Sequence, residues 1–114
     1  MQYIPPMSLP FYFFEVFLLG LWLFSPLLVP LLVLMILLGQ ILGRYEHWSR
    51  ADALYFTFIT SLTIGYGDLR PRQNKSKFLA VCIGILGLIL NGIVVAVALQ
   101  AINMAFAAMD SPPI

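Results

Sequence analysis

Two long stretches of the chain carry no charged or histidine side chain. They cover residues 16–43 and 78–109, which are 28 and 32 residues long. Because a helix rises about 1.5 Å per residue and the hydrocarbon core of a bilayer is about 30 Å thick, each stretch is long enough to cross a membrane. The pattern predicts two membrane-crossing helices separated by a polar segment.

Prolines divide the first of these stretches. Pro10 lies ahead of it, and Pro26 and Pro30 interrupt it. The simplest interpretation is an interfacial or steeply tilted helix over residues 11–24, followed by a crossing helix; one long kinked helix is the alternative. Residues 9–42 are too few for two crossings of about 20 residues each. We therefore assign residues 1–25 to an N-terminal segment and residues 26–43 to the outer helix.

A third apolar stretch, residues 53–67, is too short to span a membrane and contains Gly65 and Gly67. Ser49 and Asp52 have the spacing of a capping box, which favours a helix start. We expect a short helix over 50–62, an extended loop over 63–68, a second crossing helix over 76–109 and a short tail over 110–114. Non-helical backbone at membrane depth is tolerated only where protein buries it or where it lines a water-filled path.

The composition excludes several classes of protein. The chain is 61% hydrophobic and 10% charged, with a mean hydropathy of +0.96, whereas soluble domains are about 45–50% apolar and about 25% charged. A net charge of +1 gives no general attraction for nucleic acid. Cys82 is the single cysteine, which excludes an internal disulfide and a multi-cysteine metal site. No set of catalytic side chains stands out, so we expect neither an enzyme nor a cofactor.

The sequence Thr-Ile-Gly-Tyr-Gly over residues 63–67 carries the candidate chemistry. Glycine at alternate positions allows successive carbonyl groups to turn to one side. Several such loops around one axis would stack rings of carbonyl oxygens above a ring of Thr63 hydroxyls, which can replace the hydration shell of a monovalent cation. Ile64 and Tyr66 would then point away from the axis. A single loop cannot enclose an ion, so we expect several chains around one axis.

With Asp68, this run resembles the selectivity filter of potassium channels, and residues 31–106 resemble their pore module. The resemblance implies an all-α membrane protein in which two transmembrane helices flank a re-entrant pore helix and a filter loop. It also implies a homotetramer in a lipid bilayer that conducts K⁺ passively. The residues expected to bind K⁺ are Thr63, Ile64, Gly65 and Tyr66, with Gly67 completing the filter.

The resemblance also assigns roles on the second crossing helix. Gly87 occupies the place of a hinge glycine in similar channels, although close helix packing is the alternative. Asn91 is expected to face the cavity, or else to form a hydrogen bond between helices. The other residues expected to line the cavity and gate are Val95, Leu99 and Asn103.

The sequence departs from the family pattern at two places near the filter. Some family members carry a glutamate on the pore helix that pairs with the filter aspartate, but this chain has Ile59. We expect Asp68 to bind the hydroxyl of Tyr55, or water. Arg70 lies where some similar channels have an aromatic residue, so a tetramer would carry four guanidinium groups at its outer mouth. These would face the axis, or turn outward to Asp68, Glu46 or lipid headgroups.

Two other functions remain open: a poorly selective cation channel on the same fold, and a non-conducting helical-hairpin subunit. All six Lys and Arg residues lie between the two uncharged stretches, and the rule that basic residues mark the cytoplasmic side would place both termini outside. The family topology implies the opposite. We therefore expect a multi-pass protein of a prokaryotic cell membrane, with the filter facing outward and both termini cytoplasmic. A cytoplasmic regulatory partner and the gating stimulus are not indicated by the sequence.

Overall fold

The computed structural model describes residues 6–109. Over this range it contains a 3₁₀ turn, Pro6–Ser8, and four helices without a strand: α1 (Leu9–Leu23), α2 (Ser25–Tyr45), α3 (Arg50–Ser61) and α4 (Asn74–Met109). Helices α2 and α4 are long and apolar enough to cross a membrane. The predicted all-α class with two crossing helices is therefore confirmed. Residues 1–5 and the predicted tail, 110–114, lie outside the described residues.

Helices α1 and α2 are separated by Phe24 alone. The Phe24 N–H donates to the Gly20 carbonyl at 3.0 Å, which closes α1. Pro26 has no N–H to donate to the carbonyl of Trp22, four residues earlier; the hydroxyl of Ser25 donates to that carbonyl instead, at 2.7 Å. The break between the two helices therefore lies next to Pro26, and the interfacial or tilted placement of the first helix stays a prediction.

The helix boundaries differ from the predicted ones by one or two residues. Helix α2 continues past the predicted residue 43 to Tyr45, and the chain then turns at His47, whose φ is +59°. Helix α3 ends at Ser61 rather than 62, and α4 begins at Asn74 rather than 76. The earlier start of α4 follows from the Glu46 carboxylate, which binds backbone N–H groups just ahead of that helix.

One compact unit, Leu27–Gly92, contains most of α2, all of α3 and the first half of α4. Leu42, Phe56 and Ile83 form its buried cluster, one from each helix. Helix α3 lies very close to α2: a Cβ on Gly43 would be 2.6 Å from the Cβ of Ala53, and a Cβ on Gly39 would overlap the Thr57 hydroxyl. The Gly-xxx-Gly spacing on α2 therefore marks the surface against which α3 packs.

The second unit, Met1–Pro26 with Ile93–Ile114, contains α1 and the last part of α4. A Cβ on Gly20 would lie 2.6 Å from a methyl group of Val97, so this glycine permits a close approach. Three small side chains of α4, Ala101, Ala105 and Ala108, are buried at helical spacing. Gly20 thus allows the fifteen-residue α1 to approach α4 closely at Val97.

Candidate ion-binding site

The start of α3 is fixed by capping and by a contact from α2. Ser49 is the N-cap residue, and its hydroxyl accepts the N–H of Asp52 at 3.1 Å. The predicted cap is therefore present. The side-chain amide of Gln40 on α2 donates to the Arg50 carbonyl at 3.2 Å. With the glycine contacts described above, these bonds set the position of α3 against α2.

The end of α3 organises the backbone that follows it. The N–H groups of Ile64 and Gly65 both donate to the carbonyl of Ile59, at 2.9 and 3.2 Å, and the N–H of Thr63 donates to that of Thr60 at 3.2 Å. All described peptide bonds are trans, so the carbonyl of each of these peptide units points opposite to its N–H group. The carbonyls of Thr63 and Ile64 therefore turn together, away from the end of α3.

The backbone of the loop alternates in handedness. Thr63, Gly65 and Gly67 have φ values of +63°, +60° and +82°, a region that glycine enters without a steric penalty. At Thr63 the same conformation costs about 1–2 kcal/mol, because its Cβ crowds the following carbonyl. The sequence predicts this freedom at the glycines but not at Thr63. The threonine hydroxyl donates to the Leu62 carbonyl at 2.6 Å.

Asp68 is held from α3, as one of the sequence alternatives predicts. The Tyr55 hydroxyl donates to Oδ2 of Asp68 at 2.9 Å. This hydrogen bond, together with desolvation and the charge of Asp68, raises the pKa of Tyr55 above its ordinary value. Ile59, which stands where some similar channels have glutamate, is buried and apolar. A tyrosine one helical turn earlier therefore supplies the side-chain contact that Ile59 cannot make.

Helix α4 contacts the end of α3 through two of the predicted residues. The Asn91 amide donates to the carbonyl of Ser61 at 2.7 Å, an interhelical hydrogen bond; the cavity-facing role of Asn91 stays a prediction. A Cβ on Gly87 would lie 2.6 Å from both Cα and O of Ser61. Gly87 therefore packs closely on Ser61 within an unbroken helix, and its role as a hinge stays a prediction. Sequence reasoning missed Ser61, because no motif marks it.

Three other predicted residues of α4 lie apart from these contacts. Val95, Leu99 and Asn103 follow one another at intervals of four residues, and all three are exposed on the single chain. The chain therefore leaves this stripe of α4 uncovered by its own side chains. That exposure is compatible with a cavity-facing role, which stays a prediction.

Arg70 contacts the filter loop of its own chain, and its predicted orientation toward the axis stays a prediction. Its Nε–H donates to the carbonyl of Gly67 at 2.9 Å, so the guanidinium folds back onto the end of the loop. Within residues 6–109 it forms no ion pair with Asp68 or Glu46. The outward orientation toward a carboxylate is thus not the one adopted.

Glu46 connects the two crossing helices through a contact that no sequence pattern indicates. Its carboxylate accepts the N–H groups of Arg72 and Gln73, at 2.8 and 3.1 Å, immediately before α4. Desolvation raises the pKa of Glu46, but these two N–H groups and the charge of Arg72 favour the carboxylate, and the pKa lies below its ordinary value. The Gln73 amide also donates to the Tyr45 carbonyl at 2.5 Å.

Backbone oxygens are the ligands that the loop offers to an ion. Among the described residues, no three His, Cys, Asp or Glu side chains come together as metal ligands. Carbonyl and hydroxyl oxygens without a formal charge suit a monovalent cation that must also leave again. The loop therefore offers uncharged oxygen atoms as ligands, and its binding of a permeant ion stays a prediction.

Comparison of the sequence with known proteins identifies relatives among ion channels. The sequence model of a family described as "Ion channel" matches residues 11–104. The chain is 39% identical over 71 residues to "Two pore potassium channel a" of Oryza sativa subsp. japonica, covering 62% of this chain and 20% of that protein. It is 46% identical over 41 residues to "Two-pore potassium channel 1" of Arabidopsis thaliana, covering 36% and 11%.

A third relative, "TWiK family of potassium channels protein 7" of Caenorhabditis elegans, is 38% identical over 50 residues, covering 44% of this chain and 9% of that protein. The matched region is thus at most a fifth of the length of any of these three relatives. No solved structure is significantly similar to the chain. Since the family match extends over most of the sequence and includes both crossing helices, α3 and the loop, the chain belongs to this ion channel family.

Proposed function

We propose that four copies of this chain form a potassium-selective channel that conducts K⁺ passively across a cell membrane. The observation that carries the proposal is the backbone of residues 63–67: φ is positive at every second residue, and the first carbonyls turn away from α3. Four such loops around an axis would form the rings of oxygens that replace the hydration shell of K⁺. The relatives described above are all named as potassium channels, which supports the choice of ion.

Exposed apolar side chains behind the loop support an oligomer. Tyr66 is 72% exposed and Ile64 is 48% exposed on the single chain. Both would be covered if pore helices of neighbouring subunits packed behind the loop, as a tetramer requires. We further propose that residues 26–109 form the pore domain, with residues 1–25 as a separate segment. The filter would face outward, with both termini cytoplasmic.

Recordings from the purified protein in planar bilayers test this proposal. Under mixed potassium and sodium gradients, the current should reverse near the potassium equilibrium potential. Gly65→Ala should abolish the current while the tetramer persists, because a Cβ at φ +60° opposes the backbone geometry that aligns the carbonyls. Gly84→Ala is the matched control, since a Cβ there meets no atom of the described chain within 4 Å.

The outcomes separate the other two functions. Reversal near zero would indicate a poorly selective cation channel. A cross-linked complex without current would indicate a non-conducting subunit, and normal potassium current through Gly65→Ala would contradict the proposed binding site.

A further inference from the structure

The end of the loop already holds a positive charge from its own chain. The Nε–H of Arg70 donates to the Gly67 carbonyl at 2.9 Å. Gly67 has a φ of +82° and is the last of the three residues with positive φ. If the loop binds ions as proposed above, this carbonyl belongs to the outermost ring of oxygens. Arg70 thus donates to an atom that an incoming ion would also use.

The neighbouring groups explain why Arg70 is available for this contact. The nearest carboxylate in sequence, Asp68, accepts the hydroxyl of Tyr55. Glu46 accepts two backbone N–H groups ahead of α4. Neither carboxylate is paired with Arg70 among the described residues. The planar guanidinium group carries five N–H donors and no acceptor, so it can approach a carbonyl oxygen as a cation would.

We propose that Arg70 is a tethered cation that competes with external K⁺ for the outermost carbonyls of the filter. This inference rests on the proposed function. When the guanidinium is bound to Gly67, the outermost site is less available; when K⁺ binds there, the guanidinium moves aside. External potassium therefore sets how often the site is free, and inward current should be disproportionately small at low external potassium.

Competition for the carbonyl oxygen can be distinguished from simple electrostatic repulsion, which a ring of positive charges would exert on K⁺. Repulsion acts through the surrounding solution and fades as the Debye length shortens, from about 30 Å at 0.01 M salt to about 8 Å at 0.15 M, whichever salt is used. Competition for an oxygen atom depends on the concentration of the ion that can replace the guanidinium there. At a fixed ionic strength it should respond to K⁺ and not to a large impermeant cation such as N-methylglucamine.

The test measures inward single-channel current against external K⁺, with N-methylglucamine keeping the ionic strength near 0.15 M, where the Debye length is about 8 Å. Arg70→Gln removes the charge and the Nε–H donor. Arg70→Met removes both while keeping an unbranched side chain, and serves if the glutamine variant assembles poorly. Lys77→Gln is the charge-matched control, because Lys77 lines the same depression as Gly67 and Arg70 but makes no bond to the loop.

We expect either Arg70 variant to lower the K⁺ concentration for half-maximal current about 2- to 10-fold, the range spanned by one hydrogen bond of about 0.5–1.5 kcal/mol. Wild type and variant should converge at high K⁺, with Lys77→Gln like wild type. Equal effects of Lys77→Gln and Arg70→Gln would contradict competition and indicate diffuse electrostatic repulsion of K⁺ instead. Unchanged curves for both Arg70 variants, with selective current intact, would overturn this inference alone; absence of selective current in the wild type would overturn the proposed function.

Discussion

Replacing Gly87 by alanine tests how α4 packs on the end of α3. The added Cβ would lie 2.6 Å from Cα and O of Ser61 and 2.8 Å from its Cβ, whereas carbon atoms in contact lie about 3.5–4.0 Å apart. The two helices would have to separate by about 1 Å. Overpacking of this kind costs about 1–3 kcal/mol.

Two further terms modify the effect of Gly87→Ala on stability. Separation would also weaken the 2.7 Å hydrogen bond from Asn91 to Ser61, a loss of about 1 kcal/mol. Replacing glycine by alanine inside a helix returns about 1 kcal/mol. The expected net loss is therefore about 1–3 kcal/mol per subunit, measured as a lower midpoint of thermal unfolding for the purified protein in detergent.

Controls separate packing from flexibility at Gly87. Gly84→Ala and Gly92→Ala add the same methyl group where the described chain has no atom within 4 Å, so they should be neutral or stabilising. Ser61→Gly should not rescue Gly87→Ala, because two of the three closest atoms belong to the Ser61 backbone. If Gly87→Ala is as stable as Gly84→Ala and only lowers the open probability, then Gly87 acts as a hinge and the packing argument is wrong.

Two further predictions concern hydrogen bonds that hold the outer side of the loop and the start of α4. Tyr55→Phe and Asp68→Asn should each speed the decay of current under sustained opening, because each removes the same 2.9 Å hydrogen bond. The current of the double variant should therefore decay no faster than that of the more affected single variant. Additive effects of the two changes would show that they do not act through this bond. Because the pKa of Glu46 is lowered in the folded protein, its stabilising effect should be present above its ordinary pKa of 4.5 and be lost as the pH falls through the lowered value. Glu46→Gln should remove that acid dependence. The free energy of unfolding involved should be no more than about 1 kcal/mol, because solvent screens this carboxylate. If the variant and the wild type unfold at the same acid pH, the carboxylate does not have the proposed role in binding the N–H groups of Arg72 and Gln73.

The sequence predicts those features of the fold that depend on neighbours along the chain. The break before α2 follows from Pro26, and the start of α3 follows from Ser49 and Asp52, since capping and proline act within one helical turn. The crossing helices follow from the uncharged stretches. The alternation of handedness is anticipated at Gly65 and Gly67, because glycine marks the position by its residue type.

Contacts between distant residues could not be predicted in the same way. Asn91 and Ser61 are 30 residues apart, and the sequence does not say which face of α4 the amide lies on. Glu46 binds the backbone N–H groups of Arg72 and Gln73, which lie 26 and 27 positions further along the chain. Because nearly every residue type has a backbone N–H group, no side chain in the sequence marks this partner. At Thr63 the residue type argues against a positive φ, and only the bonds to the end of α3 explain it.

The hydrogen bonds at the end of α3 bear on how the protein is made. The N–H groups of Thr63, Ile64 and Gly65 bind carbonyls only three to six residues earlier, and loops of about ten residues close within about 10–100 ns. This inner half of the loop can therefore take its shape soon after synthesis, within one chain. In the proposed tetramer, Tyr66, which is 72% exposed on the single chain, would be covered only when the subunits meet. Biogenesis of that tetramer would then have two stages: each newly inserted chain would bring the carbonyls of Thr63 and Ile64 already aligned, and the meeting of the subunits would complete the carbonyls beyond them.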